Sequence, residues 1–178
     1  MELLDIYDEH GNPTGRVETK ERAHELGLWH INAHIWIINS NGELLLQLRH
    51  PNKVTHPNMW DISAAGHIRA GETMVQGGLR ELKEELGVTV STSELKYLFT
   101  INHDPTEPSN NKEINDIFLL SLDWPADKYV FPDTEVVAVK YMPWRDLAKM
   151  THDELLAARI LPHAELKGLF EYLDKNGF

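Results

Sequence analysis

The chain has 178 residues, no cysteine, and 28 acidic residues against 17 basic ones, a formal balance of −11. That length sets one domain as the default and suffices to bury most of a core, while the absence of cysteine excludes a disulfide scaffold, a thiolate metal centre and a cysteine nucleophile. The acidity excludes a clustered basic face for nucleic acid and a polybasic membrane anchor. No apolar run approaches ~20 residues, and the N-terminus lacks a basic segment leading into a long apolar stretch. A cytoplasmic protein with no membrane and no nucleic-acid partner is expected.

In chain order, Leu3 to Asp8 reads as a strand and Glu9 to Pro13 as turn material. Thr19 to Gly27 reads as a short helix with a Thr start and a Gly stop. Trp29 to Ile38, the turn Asn39-Ser40-Asn41-Gly42 and Glu43 to Leu48 read as a β-hairpin. Trp60 to Ala64 reads as a further strand. A helical pattern runs from about Thr73 to Leu86 and stops at Gly87. Leu95 to Ile101, Ile114 to Leu122 and Val136 to Met142 read as strands, with a polar loop from Asn102 to Lys112. The end is helical in three pieces, Trp144 to Lys149, Asp153 to Arg159 and His163 to Lys175. Strands mixed with single helices, without regular βα alternation, predict one α/β domain over residues 1–178, its mixed sheet lying between helices.

The chemistry concentrates between Gly66 and Val88. On a wheel at ~100° per residue with Glu81 at zero, Glu84 falls near −60° and Glu85 near +40°. Three carboxylates thus share one arc. Val75, Leu79, Leu82 and Leu86 form a separate apolar stripe that would dock on a sheet. Like charges at i, i+3 and i+4 are unfavourable alone, and Arg80 and Lys83 lie outside the arc. A solvated acidic face is one reading; ligation of a hard divalent cation is the other. Gly77 and Gly78 sit beside the arc, and each costs on the order of 1 kcal/mol against alanine inside a helix. Their bare backbone admits close approach by a strand, a metal or a substrate.

Gly66, five residues, Glu72, seven residues, Arg80-Glu81-Leu82, one residue, Glu84-Glu85, one residue, Gly87-Val88 resembles the complete Nudix box. The resemblance implies a Nudix-type α/β/α sandwich with a mixed β-sheet, and a loop–helix–loop that holds Mg²⁺ or Mn²⁺ against a small-molecule diphosphate. It implies metal ligation by Glu81, Glu84, Glu85 and the Gly66 carbonyl. It also implies a Glu72–Arg80 salt bridge, Leu82 as apolar anchor, and water attack on the diphosphate. The base varies in position within the family. Besides the box acids, Glu113 is the residue carried forward as catalytic, with Asp116 and Glu135 as further candidates. Arg49 and Trp60 are candidates for binding substrate, and a homodimer is possible.

The flanks narrow the resemblance. Leu4 to Asp8 with Gly15, then Ala23-His24, Trp29-His30, Trp60 and Gly66-His67 look like isopentenyl-diphosphate isomerase, itself of Nudix fold. That resemblance implies a second metal site at His24, His30 and His67, with Glu113 nearby. Two departures stand against isomerase activity. Ala64-Ala65 occupies the position where the isomerases use a cysteine, and the acidic helix is intact where theirs is eroded. Another isomerase glutamate is replaced near Asn111. The expected activity is therefore hydrolysis of a nucleoside diphosphate derivative. Isomerisation and non-catalytic diphosphate binding are the alternatives. Specificity is expected in Asn102 to Glu113 and in the N-terminal segment.

Overall fold

The structure is a computed structural model that describes every residue except 105–109. The middle of the expected specificity loop therefore lies outside the described residues. Strands β1 (Leu3–Tyr7) and β2 (Pro13–Thr19) form an antiparallel ribbon. Helix α1 (Lys20–Leu26) follows, with Thr19 capping its start and Gly27, at φ 61°, its end. Seven further strands make the main sheet: β3 (His30–Ile38), β4 (Glu43–Arg49), β5 (Trp60–Asp61), β6 (Ala64–His67), β7 (Leu95–His103), β8 (Glu113–Ser121) and β9 (Val136–Pro143). Its order is β5-β4-β3-β8-β7, with β6 also on β3 and β9 on β4. Only β3 and β8 run parallel, so the sheet is mixed.

Every residue of β3 is buried, which requires cover on both faces. Ile31, Ala33, Ile35 and Ile37 pack with Leu82 and Leu86 of α2 (Met74–Leu86). Trp36 and Ile38 point the other way. They pack with Trp144 and Leu147 of α3 (Trp144–Leu147), Leu155 of α4 (His152–Ala157) and Leu166, Leu169 and Leu173 of α5 (Leu166–Lys175). The architecture is an α/β/α sandwich. A third cluster, Leu4, Ile6 and Ala23, seals the N-terminal ribbon.

Three expectations need correction. Strand β2 is not apparent in its sequence, because its first five residues are exposed and backbone pairing with β1 holds it. The expected strand from Trp60 to Ala64 is two strands on different partners: β5 pairs β4, whereas β6 pairs β3. The expected hairpin exists only at its base, where Ile38 pairs Leu44; beyond that point the two strands diverge. Ser63 spans the divergence. Its buried hydroxyl accepts the Ile37 N–H at 2.8 Å and donates to the Leu45 carbonyl at 2.7 Å. The parted sheet leaves β6 lying on β3 with α2 packed beside it.

Helix α2 opens on a capping box between Thr73 and Gln76 and closes on Gly87 at φ 66°. The paired glycines are explained by close packing. A Cβ on Gly77 would meet the Ile68 side chain at 2.5 Å, and one on Gly78 would press on Leu95 at 3.3 Å. Here the bare backbone lets the helix sit down on the sheet.

Candidate active site

Glu81 and Glu85, on successive turns of α2, are 9% and 4% exposed, while Glu84 faces solvent. Strand β6 brings Gly66 against the Glu81 carboxyl so closely that a Cβ there would overlap it. Arg80 organises the surroundings. Its Nε and Nη2 donate to the two Glu72 oxygens at 2.9 and 3.0 Å, and Nη2 also donates to the His67 carbonyl at 2.8 Å. Its Nη1 reaches Glu84 at 3.1 Å and also Glu81. Arg69 adds a 3.3 Å contact to Glu84. Glu85 accepts from the Ala65 N–H at 3.1 Å and from Gln47 at 3.4 Å.

These partners do not compensate the acids. Burial pushes Glu81 up to about 7 despite Arg80, and burial together with Glu81 pushes Glu85 well above the carboxylate range. Glu72, bonded by Arg80, is held below it. Surplus negative charge, hard oxygen donors and a glycine floor fit a divalent cation of the Mg²⁺ type.

The histidines form a second group. His24 at the end of α1, His30 at the start of β3 and His67 at the end of β6 place their rings 5.1–5.3 Å apart. His30 Nδ1 donates to the Leu28 carbonyl at 2.8 Å, which leaves a lone pair on Nε2. That nitrogen is buried and has no hydrogen-bond partner. Burial lowers all three pKa values, that of His67 to about 2. Three neutral imidazoles, one of them orphaned, suit a transition metal. Glu113 is placed here rather than on α2, as the register partner of His30 and bonded by Asn111.

Of the other candidates, Glu135 pairs with Lys53 and adds to the field that raises Glu85. Asp116 lies on β8, bonded by Thr100 and raised by burial. Arg49 is engaged by Asp61 at 2.8 Å and by the Thr55 carbonyl. Trp60 packs in the C-terminal core with Lys140 over its ring. A cluster that sequence reasoning missed lies beside them. His163 bonds Asp61, and Glu165 bonds His34 at 2.8 Å. No local spacing signals this group, since Asp61 and His163 stand 102 residues apart.

The NUDIX domain family model matches residues 28–164. The chain is 37% identical over 158 residues to an uncharacterised Nudix hydrolase of Clostridium acetobutylicum, covering 86% of this chain and 76% of that one. It is 33% identical over 109 residues to an isopentenyl-diphosphate Delta-isomerase of Serratia proteamaculans, covering 61% of this chain and 59% of that one. Its fold is similar to the crystal structure of a Deinococcus radiodurans protein, with TM-score 0.70 and 22% identity, covering 96% of this chain and 98% of that one. The fold, the acidic helix over its glycine and these matches together place the chain in the NUDIX domain family.

Proposed function

We propose that the protein is a divalent-metal-dependent pyrophosphohydrolase that cleaves a diphosphate linkage in a nucleoside diphosphate derivative or a related organic diphosphate by water attack. The observation that carries this reading is the acidic arc of Glu81, Glu84 and Glu85, in which Glu81 lies against the bare Gly66 and both Glu81 and Glu85 stay raised. Mg²⁺ or Mn²⁺, held by those carboxylates and the Gly66 carbonyl, supplies neutralisation of phosphate charge and a lowered pKa for water. Arg80 fixes the loop through Glu72 and His67, and Leu82, fully buried, fixes the helix on the sheet. A carboxylate then takes the proton from water. Glu113, the register partner of His30, and Glu135, whose charge acts on Glu85, are the residues outside the arc offered for that role. In this reading Arg49 and Trp60 contact the substrate, Arg49 while paired with Asp61 and Trp60 with Lys140 over its ring.

Among the described residues no helix is long and apolar enough to cross a membrane. A second reading, isomerisation of an isoprenoid diphosphate, draws support from the orphaned His30 Nε2 between His24 and His67. Ala65 and the absence of any cysteine weigh against it, because no thiol is available to move a proton. Incubation with a panel of nucleoside diphosphate derivatives and Mg²⁺ tests the proposal. Turnover lost in the Glu84→Gln, Glu85→Gln double variant is expected. Full activity in that variant overturns the residue roles, and alkene migration of isopentenyl diphosphate would establish the second reading.

A further inference from the structure

The charged cluster around His163 is joined to the neighbourhood of the acidic arc through one carboxylate. Arg49 ends β4 two residues after Gln47, so the two side chains share a face of that strand. Gln47 donates to Glu85, and Asp61, the register partner of Gln47 on β5, belongs to the same face. Arg49 therefore stands beside the arc with Asp61 next to it. Their side chains are 16% and 6% exposed.

An Arg–carboxylate pair frequently closes as a fork, two N–H groups on two oxygens. This one does not. Arg49 Nη1 donates to Asp61 Oδ2 at 2.8 Å. Asp61 Oδ1 is taken by the Ile62 N–H at 2.8 Å and by His163 Nε2. Nε and Nη2 of Arg49 are turned onto the Thr55 carbonyl at 3.2 and 3.0 Å. Among the described residues Nη1 has no acceptor besides Asp61, which leaves its second hydrogen uncommitted. A clamp alone has no use for a spare guanidinium donor beside the arc.

His163 is itself fixed. Its Nδ1 lies 3.8 Å from Glu165, Glu165 bonds His34 Nδ1 at 2.8 Å, and the His34 and Trp36 rings meet the imidazole edge-on. The titratable and charged groups that face it are Arg49 of β4, Asp61 of β5, His34 of β3 and Glu165 of its own segment. Burial would lower the imidazole, but Asp61 lifts it to about 9. Asp61 is thus shared between two cations at neutral pH.

We propose that His163 is a positioning residue for Arg49: by occupying one oxygen of Asp61 it keeps the guanidinium from closing a fork, so that Arg49 retains a donor and its charge for the substrate's diphosphate. Without the imidazole, both Asp61 oxygens turn to Arg49 and neutralise it. This rests on the reading of Arg49 as a substrate contact and adds a residue that acts only through it.

A double-variant cycle tests this. Wild type, His163→Gln, His163→Leu, Arg49→Ala and the two combinations with Arg49→Ala are assayed with adenosine diphosphate methyl ester and Mg²⁺. His163→Leu should raise KM about tenfold and change kcat less. His163→Gln keeps a donor for Asp61 without the charge and should fall between Leu and wild type. In the Arg49→Ala background neither change should move KM further. Wild-type KM should rise as pH climbs through about 9, where the imidazole loses its proton, and His163→Leu should lack that rise. Unchanged KM in His163→Leu, or in His163→Gln should the Leu variant not fold, overturns the proposal. So does an equal KM rise with and without Arg49, which makes His163 a clamp only. If Arg49→Ala leaves KM unmoved, the reading of Arg49 as a substrate contact fails and the inference falls with it. If wild type does not turn the compound over, the hydrolase reading fails separately. The Kd of the same compound from titration calorimetry then replaces KM in the cycle, and absence of binding sinks the inference too.

Discussion

Two charged clusters flank one sheet, and they resolve their charge in opposite ways. On the α2 side, Glu72, Glu81 and Glu84 share Arg80 and Arg69, while Glu85 accepts from the Ala65 N–H and from Gln47. Glu81 and Glu85 stay raised. On the other side, Asp61 and Glu165 meet Arg49, His163 and His34. Burial alone would raise both of those acids, yet their cationic neighbours drive them down. His163 responds in kind: burial would lower it, but Asp61 lifts it to about 9. The second cluster is complete and clamps the C-terminal segment to β5. The first is short of positive charge, which suits the cation-holding role proposed for it.

Breaking the balanced cluster should cost most in stability. Glu165→Ala strands His34 and His163 in a buried setting and should lower the unfolding free energy by about 3–5 kcal/mol. Urea denaturation measures this, and a loss below 1 kcal/mol would show the clamp to be idle. The converse holds on α2. Glu85→Gln should lower kcat/KM by roughly 10²-fold or more while melting temperature holds or rises, because an uncompensated buried carboxylate is removed. A stability loss there would erase the contrast between the clusters.

Proton linkage sharpens the comparison further. His163 rises from 6.5 unfolded to about 9 folded. Its contribution is therefore fully present below about pH 6.5 and is lost as pH climbs through about 9. Asp61 is depressed from 3.8, so its share is present above that value and fades only in stronger acid. Stability should fall between pH 6.5 and 9 with a slope of at most about 1.4 kcal/mol per unit from this group. His163→Gln should flatten that slope in denaturation curves recorded across the range.

How much of this was legible depended on distance along the chain. The caps of α1 and α2 rest on Thr and Gly chemistry within a few residues, and the acidic arc follows from helical spacing over residues 81–85. The grouping of His24, His30 and His67 could be expected only by resemblance, because three separate elements deliver them. The clamp was invisible, since Asp61 and His163 meet across most of the fold. The hairpin misled for the same reason, because the wedge that opens it comes from residue 63.

That wedge gives the fold a built-in reporter. At Ser63 a side chain stands in for a neighbouring strand, and the Ile37 amide is shielded by a hydroxyl instead of a backbone carbonyl. Hydrogen exchange at Ile37 therefore reads the opening of the fork between β3 and β4. In Ser63→Ala that amide should exchange faster than its neighbours on β3, and the fork beside β6 becomes something that can be timed.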